Sequence, residues 1–573
     1  MNLTIDQALK QAIEAHQSQK LQDAERLYRA ILKVHPNHPD ANHNLGLLAL
    51  GVGKLEEGLP HLSAALAANP KYEQFWISYI RALIETGRLA EAGKAIEDGR
   101  RSGLSDKAAQ QLEERLGASP VQAPSQNKAD ELLASYKAGS FELTERLARE
   151  LTRNYPRHTL GWKTLGAALF RQGKVEGALA AMQYAVQLNP DDAEAHLHLG
   201  YPLINLGRVA EAEASLRKAI ALQPDLAEAH CNLGTLLKEL GRLPEAESSL
   251  RNAIRCRPDY AEANWKLSTN LLLQSRLRSG FELYEWRWAG TDEQKKYTND
   301  FVQPLWLGKE SLVGKTILIH AEQGLGDTIL FSRYLKLVHE LGARVIFQVQ
   351  RPLMFLLAGL EGVDELVGKG QPLPGFDCHC PLMSLALAFK TDLDSIPSRV
   401  PYLFAQPERI QRWAEKLGEH GFKIGICWKG AGKDRFVPVE HFHALSRIPG
   451  VRLISLQKGE TQEELASLPD GMAIETNGDE FDSDGAFMDT VAIMKCCDLV
   501  VSSDTSIAHV AGALGVPTWI ALLFVPDWRW MMDRADSPWY PSVRLFRQPA
   551  SGDWKGVFEQ MGSVLRSHLL GRV

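Results

Sequence analysis

The chain has 573 residues, enough for three or four domains, and with 45% hydrophobic and 23% charged residues it has the composition of a globular protein. Its formal net charge of −6 argues against nucleic acid as the main partner. The longest apolar run, around residues 516–526, contains Pro517 and is too short for a transmembrane segment. With no basic, apolar leader and no CxxC pair among seven cysteines, we expect a cytoplasmic protein.

The N-terminal half carries a repeat of 34 residues. The prolines that mark it are Pro36, Pro70, Pro156, Pro190, Pro224 and Pro258. Small residues recur ten and seventeen positions after these prolines, where two antiparallel helices must touch and where the turn between them must bend. The ten-position residues are Gly46, Ile80, Gly166, Gly200, Gly234 and Ser268, all small except Ile80, and the seventeen-position residues are Gly53, Gly87, Gly173, Gly207, Gly241 and Ser275. Gln19 and Gly139 occupy the same turn position of two further repeats, which gives about eight in all.

The repeats fall into two predicted blocks, residues 1–116 and 131–291. Residues 117–130, rich in Pro, Ala, Ser and Gln, form a predicted linker between them. Each block should form a short superhelix with a concave groove. The positions eight residues after each proline should line that groove and bind an extended peptide, or else form a solvated helix face. These residues are Asn44, Ser78, Thr164, His198, Asn232 and Lys266.

An aromatic connector at residues 292–314 follows the repeats. We expect Trp286, Trp288 and Trp306 to pack the last repeat onto the next domain. Apolar strands and helices then alternate through a first lobe at 315–405 and a second at 406–573, which predicts two largely parallel sheets. Ligands of such folds bind outside the carboxyl ends of the strands, and we expect the two lobes to face one cleft.

Two turns after predicted strands carry the chemistry. Gly324, Gly326 and Asp327 follow the strand at 315–321, where the glycines allow close approach of the backbone to a ligand. In the second lobe, residues 504–515 lie between two apolar strands and open a helix. The polar residues at this opening, which could bind a phosphate at the helix N-terminus or merely cap the helix, are Ser503, Asp504, Thr505, Ser506 and His509.

Lys429 and Gly430 follow the strand at 423–428 and are placed to neutralise a diphosphate, the alternative being a basic surface loop. Trp528 and Arg529 are candidates for the cleft wall that meets the acceptor, or else for packing between lobes. The DxD pairs Asp392/Asp394 and Asp482/Asp484 follow no clear strand end, so we interpret both as solvated loops and predict no metal site.

The period, prolines and small residues of the first half resemble the tetratricopeptide repeat. The second half, about residues 315–560, resembles the heptosyltransferase-type glycosyltransferases of GT-B fold. The motifs that carry this resemblance are GLGD at 324–327, WKG at 428–430, the segment 487–490 and DTSIAHVAGALGVPTW at 504–519. The whole chain is similar to bacterial repeat-containing glycosyltransferases, including those that glycosylate flagellin. The resemblance implies an all-α superhelix followed by an α/β GT-B-type domain with two Rossmann-like lobes.

The resemblance implies that Asp327 is the general base, that Lys429 contacts donor phosphate, and that Asp504, Thr505 and His509 hold the nucleotide. Glu322, Asp527 and His320 are alternative bases. Ser506 departs from the DTG pattern of heptosyltransferases, which argues against heptose as the donor sugar. The implied reaction is inverting transfer from a nucleotide sugar, UDP-GlcNAc or CMP-nonulosonic acid, to a protein hydroxyl, without metal or cofactor. The alternatives are a glycan or lipid-linked acceptor, or a repeat scaffold with an inactive transferase half.

Overall fold

A computed structural model describes residues 4–18, 20–52, 54–86, 88–117, 124–290, 301–430, 436–459, 462–478 and 480–571. The chain divides into two compact units, residues 1–222 and 223–573. This boundary lies inside the second predicted repeat block, so the last repeats belong to the same unit as the α/β region. The predicted turn residues Gln19, Gly53 and Gly87 and the connector residues 292–300 lie outside the described residues.

The first unit is helical throughout its described residues. Its helices are α1 (Ile5–Gln17), α2 (Leu21–Val34), α3 (Pro39–Gly51), α4 (Leu55–Ala68), α5 (Glu73–Glu85), α6 (Leu89–Ser102), α7 (Asp106–Gly117), α8 (Gln126–Lys137), α9 (Phe141–Asn154), α10 (Thr159–Arg171), α11 (Val175–Leu188), α12 (Ala193–Asn205) and α13 (Val209–Leu222). Apart from α7, which packs on α5 and α6, they pair as consecutive helical hairpins. Because α8 begins at Gln126, the predicted linker 117–130 extends too far at its C-terminal end.

One side-chain hydrogen bond recurs in all six repeats that a proline marks. The residue six positions after the proline donates an N–H to the proline carbonyl, which lies just before the first helix of the hairpin. The donors are Asn42, Trp76, Trp162, His196, His230 and Asn264, at 2.8–3.3 Å. Asparagine, tryptophan and histidine share a side-chain N–H and little else, so this position requires a donor rather than one residue type.

The glycines of the repeats lie where two helices touch and where the chain turns, as expected from their spacing. At Gly234 an added Cβ would lie 2.6 Å from the Leu250 side chain on the second helix of the hairpin, so only glycine permits this close approach. Gly207 adopts φ of 70° in the turn between helices, a conformation that other residues rarely adopt. Small residues therefore recur at this spacing because the helices touch at one position and the chain reverses direction at the other.

The second unit begins with the remaining helices of the repeats. These are α14 (Ala227–Glu239), α15 (Leu243–Cys256), α16 (Ala261–Leu273), α17 (Leu277–Tyr284) and α18 (Arg287–Gly290). The first lobe contains β1 (Thr316–His320), α19 (Leu325–Phe331), α20 (Leu335–Glu340), β2 (Arg344–Val349), β3 (Glu365–Gly368), β4 (Cys378–Pro381) and α21 (Leu385–Ala388). Its sheet is parallel, in the order β3-β2-β1-β4.

The second lobe has a larger parallel sheet, in the order β10-β9-β8-β5-β6-β7. Its elements are α22 (Pro407–Leu417), β5 (Phe422–Cys427), α23 (His443–Ser446), β6 (Val451–Ser455), α24 (Gln462–Ala466), β7 (Ile474–Glu475), α25 (Met488–Cys496), β8 (Leu499–Ser503), α26 (Ser506–Ala513), β9 (Thr518–Leu522), β10 (Val543–Arg547) and α27 (Trp554–Leu570). The predicted fold class, tetratricopeptide-type helices followed by an α/β region with two parallel sheets, is confirmed.

A single hydrophobic core joins the last helices to both lobes. Phe281 and Tyr284 on α17 lie 5.8 Å and 5.7 Å, between ring centroids, from Trp528 of the second lobe, and Phe281 also meets Phe331 of the first. Trp306 is buried in the same core, as predicted. Trp286 and Trp288 are only half-buried, so α17, rather than these two residues, supplies the docking surface.

A buried ion pair fixes the same junction. Arg287 of α18 and Glu322, which follows β1, are both fully buried and form two hydrogen bonds, at 2.8 Å and 2.9 Å. Glu285 and the Ser384 hydroxyl complete the shell around the guanidinium. Because Glu322 precedes the 324–327 turn by two residues, the ion pair holds the end of the repeats against the strand that leads into this turn.

Among the residues that the structure describes, no helix is both long and apolar enough to cross a membrane.

Candidate functional site

A cavity of about 680 Å³ lies between the two lobes, at the carboxyl ends of their strands. It is lined from the first lobe by residues 324–327 and from the second by Cys427, Lys429, Gly430, residues 456–459 and 504–507, His509 and Arg529 among others. The two turns singled out from the sequence therefore meet in one space. Asp327, Lys429 and His509, taken from three separate motifs, are all on its wall.

The N-terminus of α26 forms one end of this wall. Thr505 is the N-cap, and its hydroxyl accepts a hydrogen bond from the Ile507 amide at 3.2 Å. Asp504, Thr505 and Ser506 line the cavity. The positive end of a helix dipole together with hydroxyl groups is a favourable environment for an anion such as phosphate.

The opposing turn of the first lobe positions Asp327. Gly324 is the N-cap of α19, and its amide donates to the Asp327 carboxylate at 2.8 Å. Gly326 was predicted to allow the backbone to approach a ligand, but the structure explains it by packing between two helices. A Cβ there would lie 2.7 Å from the His509 ring, so this glycine allows α19 and α26 to approach each other.

Arg529 lies between two carboxylates, Asp327 and Asp527, and forms an ion pair with each. Burial alone would lower the pKa of Arg529, but the two carboxylates outweigh it and hold the pKa above its ordinary value. The guanidinium therefore stays charged and holds Asp327 in place. Its buried Nε–H has no hydrogen-bond partner among the described residues, which leaves a donor at the cavity wall.

His509 is buried beneath the cavity rather than extended into it. Its ring stacks on Trp530 at 5.0 Å between centroids, and its Nδ1 hydrogen-bonds the Tyr540 hydroxyl at 3.1 Å. These contacts fix the ring against Gly326. His509 thus contributes a rigid wall and the packing of one lobe on the other.

Two lysines bring positive charge to the second-lobe side. Lys429 is half exposed, and its ammonium forms an ion pair with Glu464 at 3.0 Å. The Lys458 ammonium donates to the backbone carbonyls of Phe481 and Asp482, at 3.2 Å and 2.9 Å. Sequence reasoning singled out Lys429 and missed Lys458, although Lys458 also follows a strand, β6, and has Gly459 beside it, the same signal that marked Lys429.

Asp482 corrects the interpretation of the DxD pairs. It is buried, lines the cavity, and accepts hydrogen bonds from the amides of Asp489 and Thr490 and from the Thr490 hydroxyl. Asp482 therefore holds the start of α25 against the cavity rather than lying in a solvated loop. Asp392 and Asp394 are exposed, as expected, and Asp484 is exposed and pairs with Arg409.

Several predicted residues lie elsewhere. The Ser503 side chain lines a second, neighbouring cavity, and Trp528 is packed in the core against α17. Of the alternative bases, Glu322 is held by Arg287, and Asp527 lines the second cavity. His320 is buried against His379, and burial lowers its pKa to about 3. None of these three lines the first cavity.

The predicted groove residues differ in their accessibility. Ser78 and Thr164 are only 5% and 6% exposed, and Ser78 hydrogen-bonds His43 at 2.8 Å, so these two positions do not offer a side chain to a peptide. They pack between helices because hydroxyl residues are small enough for that position. The half-buried residues at the equivalent positions are Asn44, His198, Asn232 and Lys266.

Comparison with known proteins identifies the repeats. Tetratricopeptide-repeat profiles match residues 9–57, 130–193 and 164–227, and two further profiles of the same repeat match 49–116 and 215–248. The predicted tetratricopeptide repeats are thereby confirmed. A curated relative, Protein FlbA of Caulobacter vibrioides, is 26% identical over 324 residues, 52% of this chain and 53% of its own. The chain thus spans about half the length of the curated relative that it matches.

Solved structures resemble separate parts of the chain. A glycosyl transferase family 9 protein from Veillonella parvula aligns with 46% of this chain and 99% of its own, at 13% identity and a TM-score of 0.35. A protein named MamA aligns with 29% of this chain and 96% of its own, at 20% identity and a TM-score of 0.25. The tetratricopeptide-repeat protein TTC0263 of Thermus thermophilus aligns with 41% of this chain and all of its own, at 22% identity and a TM-score of 0.22.

Proposed function

We propose that the chain is a glycosyltransferase that moves a sugar from a nucleotide sugar to a Ser or Thr hydroxyl of a protein. The observation that carries the proposal is the shared cavity. Asp327 lines it from the first lobe, and the N-terminus of α26, Lys429 and Lys458 line it from the second. An anionic nucleotide fits the second-lobe side, and an acceptor hydroxyl fits the side of Asp327. The resemblance of the motifs at 324–327 and 504–519 to heptosyltransferase-type enzymes supports the same assignment.

In the proposed reaction Asp327 accepts the proton of the acceptor hydroxyl, whose oxygen attacks the anomeric carbon of the sugar. The bond between that carbon and the nucleotide oxygen breaks, and the nucleotide leaves with the electron pair. The N-terminus of α26, Lys429 and Lys458 stabilise the negative charge that develops on the leaving group. Attack opposite to the leaving group inverts the anomeric centre. Because the chain itself supplies this positive charge, we propose that the reaction needs no metal.

Cys427 lines the cavity but does not fit a role as a nucleophile. Burial raises the pKa of its thiol to about 11, so the thiol stays protonated near neutral pH. Among the described residues that line the cavity from the first lobe, Asp327 is the one carboxylate. A direct displacement with one base therefore suits the residues better than a covalent intermediate.

We place the reaction in the cytoplasm and assign the repeats to binding the acceptor protein, with flagellin as the first candidate from the family resemblance. All seven cysteines are free, which is consistent with a reducing compartment. UDP-GlcNAc and CMP-nonulosonic acid are the two donors to be compared first.

A thermal-shift screen against UDP, GDP, ADP and CMP tests the proposal directly. A nucleotide present at a hundred times its Kd should stabilise the native protein by about 2.7 kcal/mol, and only a nucleotide that fits the cavity should do so. A radiolabelled form of the corresponding nucleotide sugar then reports transfer. If none of the four raises the Tm, and no labelled sugar is hydrolysed or transferred, the proposal is wrong and the repeat scaffold becomes the better account.

Lys429→Met should weaken binding of that nucleotide by about ten-fold. A hydrogen bond to a charged group contributes roughly 1.5–3 kcal/mol, and the competing ion pair with Glu464 reduces this gain. Titration calorimetry measures the Kd. Lys416→Met is the matched control, since Lys416 lies on α22, donates to the Asn477 carbonyl and does not line the cavity. Equal affinities for wild type and Lys429→Met would remove Lys429 from the phosphate site.

A further inference from the structure

A second cavity, of about 380 Å³, lies beside the first in the same unit. It forms where the carboxyl ends of β8, β9 and β10 meet the C-terminal end of α14. Its walls include Lys238 of α14, Leu523 after β9, Gln548 after β10 and Trp554 at the start of α27. Asp504 lines both cavities, so a ligand in the second reaches the edge of the first.

Two buried polar groups on this wall have no partner. The Ser503 hydroxyl and the Gln548 side-chain NH₂ make no hydrogen bond within the described part of the chain, although these residues are only 1% and 2% exposed. Buried polar groups in native proteins are usually hydrogen-bonded, so these two, which belong to residues on the wall of a cavity, leave hydrogen-bonding capacity for a molecule in that cavity. The two lie on opposite sides of β9, at the same edge of the sheet.

The orientation of Gln548 shows which kind of partner is absent. Its carbonyl oxygen accepts hydrogen bonds from the amides of Phe524 and Gly552, at 3.2 Å and 3.0 Å, which fixes the side chain. The NH₂ group is therefore held in place as a donor. A ligand at this point must offer a hydrogen-bond acceptor.

The remaining walls combine apolar and polar residues, as the binding of a polypeptide requires. Phe524, Val525 and Trp554 give apolar surface between the polar groups, which suits side chains of an extended peptide whose carbonyls accept from Ser503 and Gln548. The same wall also carries Lys238, Glu239, Asp504, Asp527 and Ser551, which can bind the backbone amides and polar side chains of such a peptide. Lys238 lies on α14, within the tetratricopeptide repeat matched at residues 215–248, so this cavity borders the repeats to which acceptor binding is assigned above.

We propose that the second cavity binds the acceptor polypeptide and directs its Ser or Thr hydroxyl past Asp504 toward Asp327. The proposal rests on the glycosyltransferase function proposed above and assigns the acceptor site of that reaction. Peptide carbonyls bind the Ser503 hydroxyl and the Gln548 amide, and the apolar wall receives the neighbouring side chains.

Two variants of the full chain test this site. Ser503→Ala removes an unpartnered donor and breaks no hydrogen bond of its side chain, and Leu523→Trp fills the cavity from a residue that is about one-third exposed. The matched control is Ser537→Ala, because the Ser537 hydroxyl is equally buried and unpartnered among the described residues but lines neither cavity. The probes are purified flagellin and a pool of 12-residue peptides that each contain one Ser or Thr.

Ser503→Ala should raise the KM for the acceptor about five-fold and Leu523→Trp at least ten-fold, while the KM for the nucleotide sugar changes less than two-fold. Ser537→Ala should match the wild type in both. Unchanged acceptor KM values in an enzyme that transfers sugar to protein would overturn the acceptor site and leave the transferase function standing. Transfer only to a saccharide, or donor hydrolysis with neither probe modified, would also overturn it. Absence of nucleotide binding would instead reject the proposed function itself.

Discussion

Asp327→Asn should lower kcat for sugar transfer by about 10³-fold, within the range expected for loss of a general base. Asparagine preserves the shape of the side chain, and its oxygen can still accept from the Gly324 amide. It cannot take the acceptor proton. The Kd for the nucleotide, measured by titration calorimetry, should change less than three-fold, because Asp327 lies on the first-lobe side of the cavity and the proposed phosphate groups bind the second-lobe side.

The ion pair with Arg529 requires a specific control for this variant. Asp527→Asn removes the other carboxylate that neutralises the same guanidinium, at a residue that does not line the first cavity. At saturating acceptor it should retain most of kcat. If both variants lose kcat equally, Asp327 acts by holding Arg529 rather than by accepting a proton. If Asp327→Asn keeps wild-type kcat, the base lies elsewhere.

Glu322→Gln should lower the free energy of unfolding of the α/β region by about 3–5 kcal/mol, since it leaves the buried Arg287 without its main partner. The Arg287 guanidinium keeps its ion pair with the Glu285 carboxylate and its hydrogen bond to Ser384, so part of the charge compensation remains and the loss should lie at the lower end of this range. Urea denaturation followed by tryptophan fluorescence measures the change, because Trp306 and Trp528 lie in the same core.

Glu365→Gln is the matched control for Glu322→Gln. It breaks the pair between Arg344 and Glu365, which is exposed at the edge of the first sheet, and should cost less than about 1 kcal/mol. A loss for Glu322→Gln no larger than the control would mean that hydrophobic packing alone docks the last repeats. Nucleotide affinity should fall together with stability, because Glu322 leads into the turn at 324–327.

Much of the fold could be predicted because it depends on local spacing. Prolines 34 residues apart and small residues at fixed offsets predicted the helical hairpins, and alternation of apolar strands with helices predicted both parallel sheets. Lys315–Ala321 and residues 498–502 correspond closely to β1 and β8. The strand β10 was not predicted, since the residues before it are rich in tryptophan, arginine and aspartate rather than alternating. The helix α27 was not predicted either, although Val557, Phe558, Met561 and Leu565 have helical spacing.

The candidate site could be predicted only in part. Glycine and hydroxyl residues directly after strands indicated the turns at 324–327 and 504–506, because carboxyl ends of parallel strands share one edge of a sheet. The Lys458-Gly459 pair after β6 repeats the signal at 429–430 and could have been found, whereas Asp482 reaches the wall only through contacts of the folded chain. Sequence spacing also gave no reason to place Gly326 against His509, which lies 183 residues later.

The sequence by itself determined which elements form, because helical and strand periodicity and turn residues act over a few neighbouring positions. Only the tertiary structure decided what each side chain faces. Arg529 forms ion pairs with both Asp327 and Asp527. Ser503 lines the second cavity rather than the first. Both arrangements arise because strands distant in the chain pair side by side. Such neighbours are set by the packing of whole lobes, which no local pattern encodes.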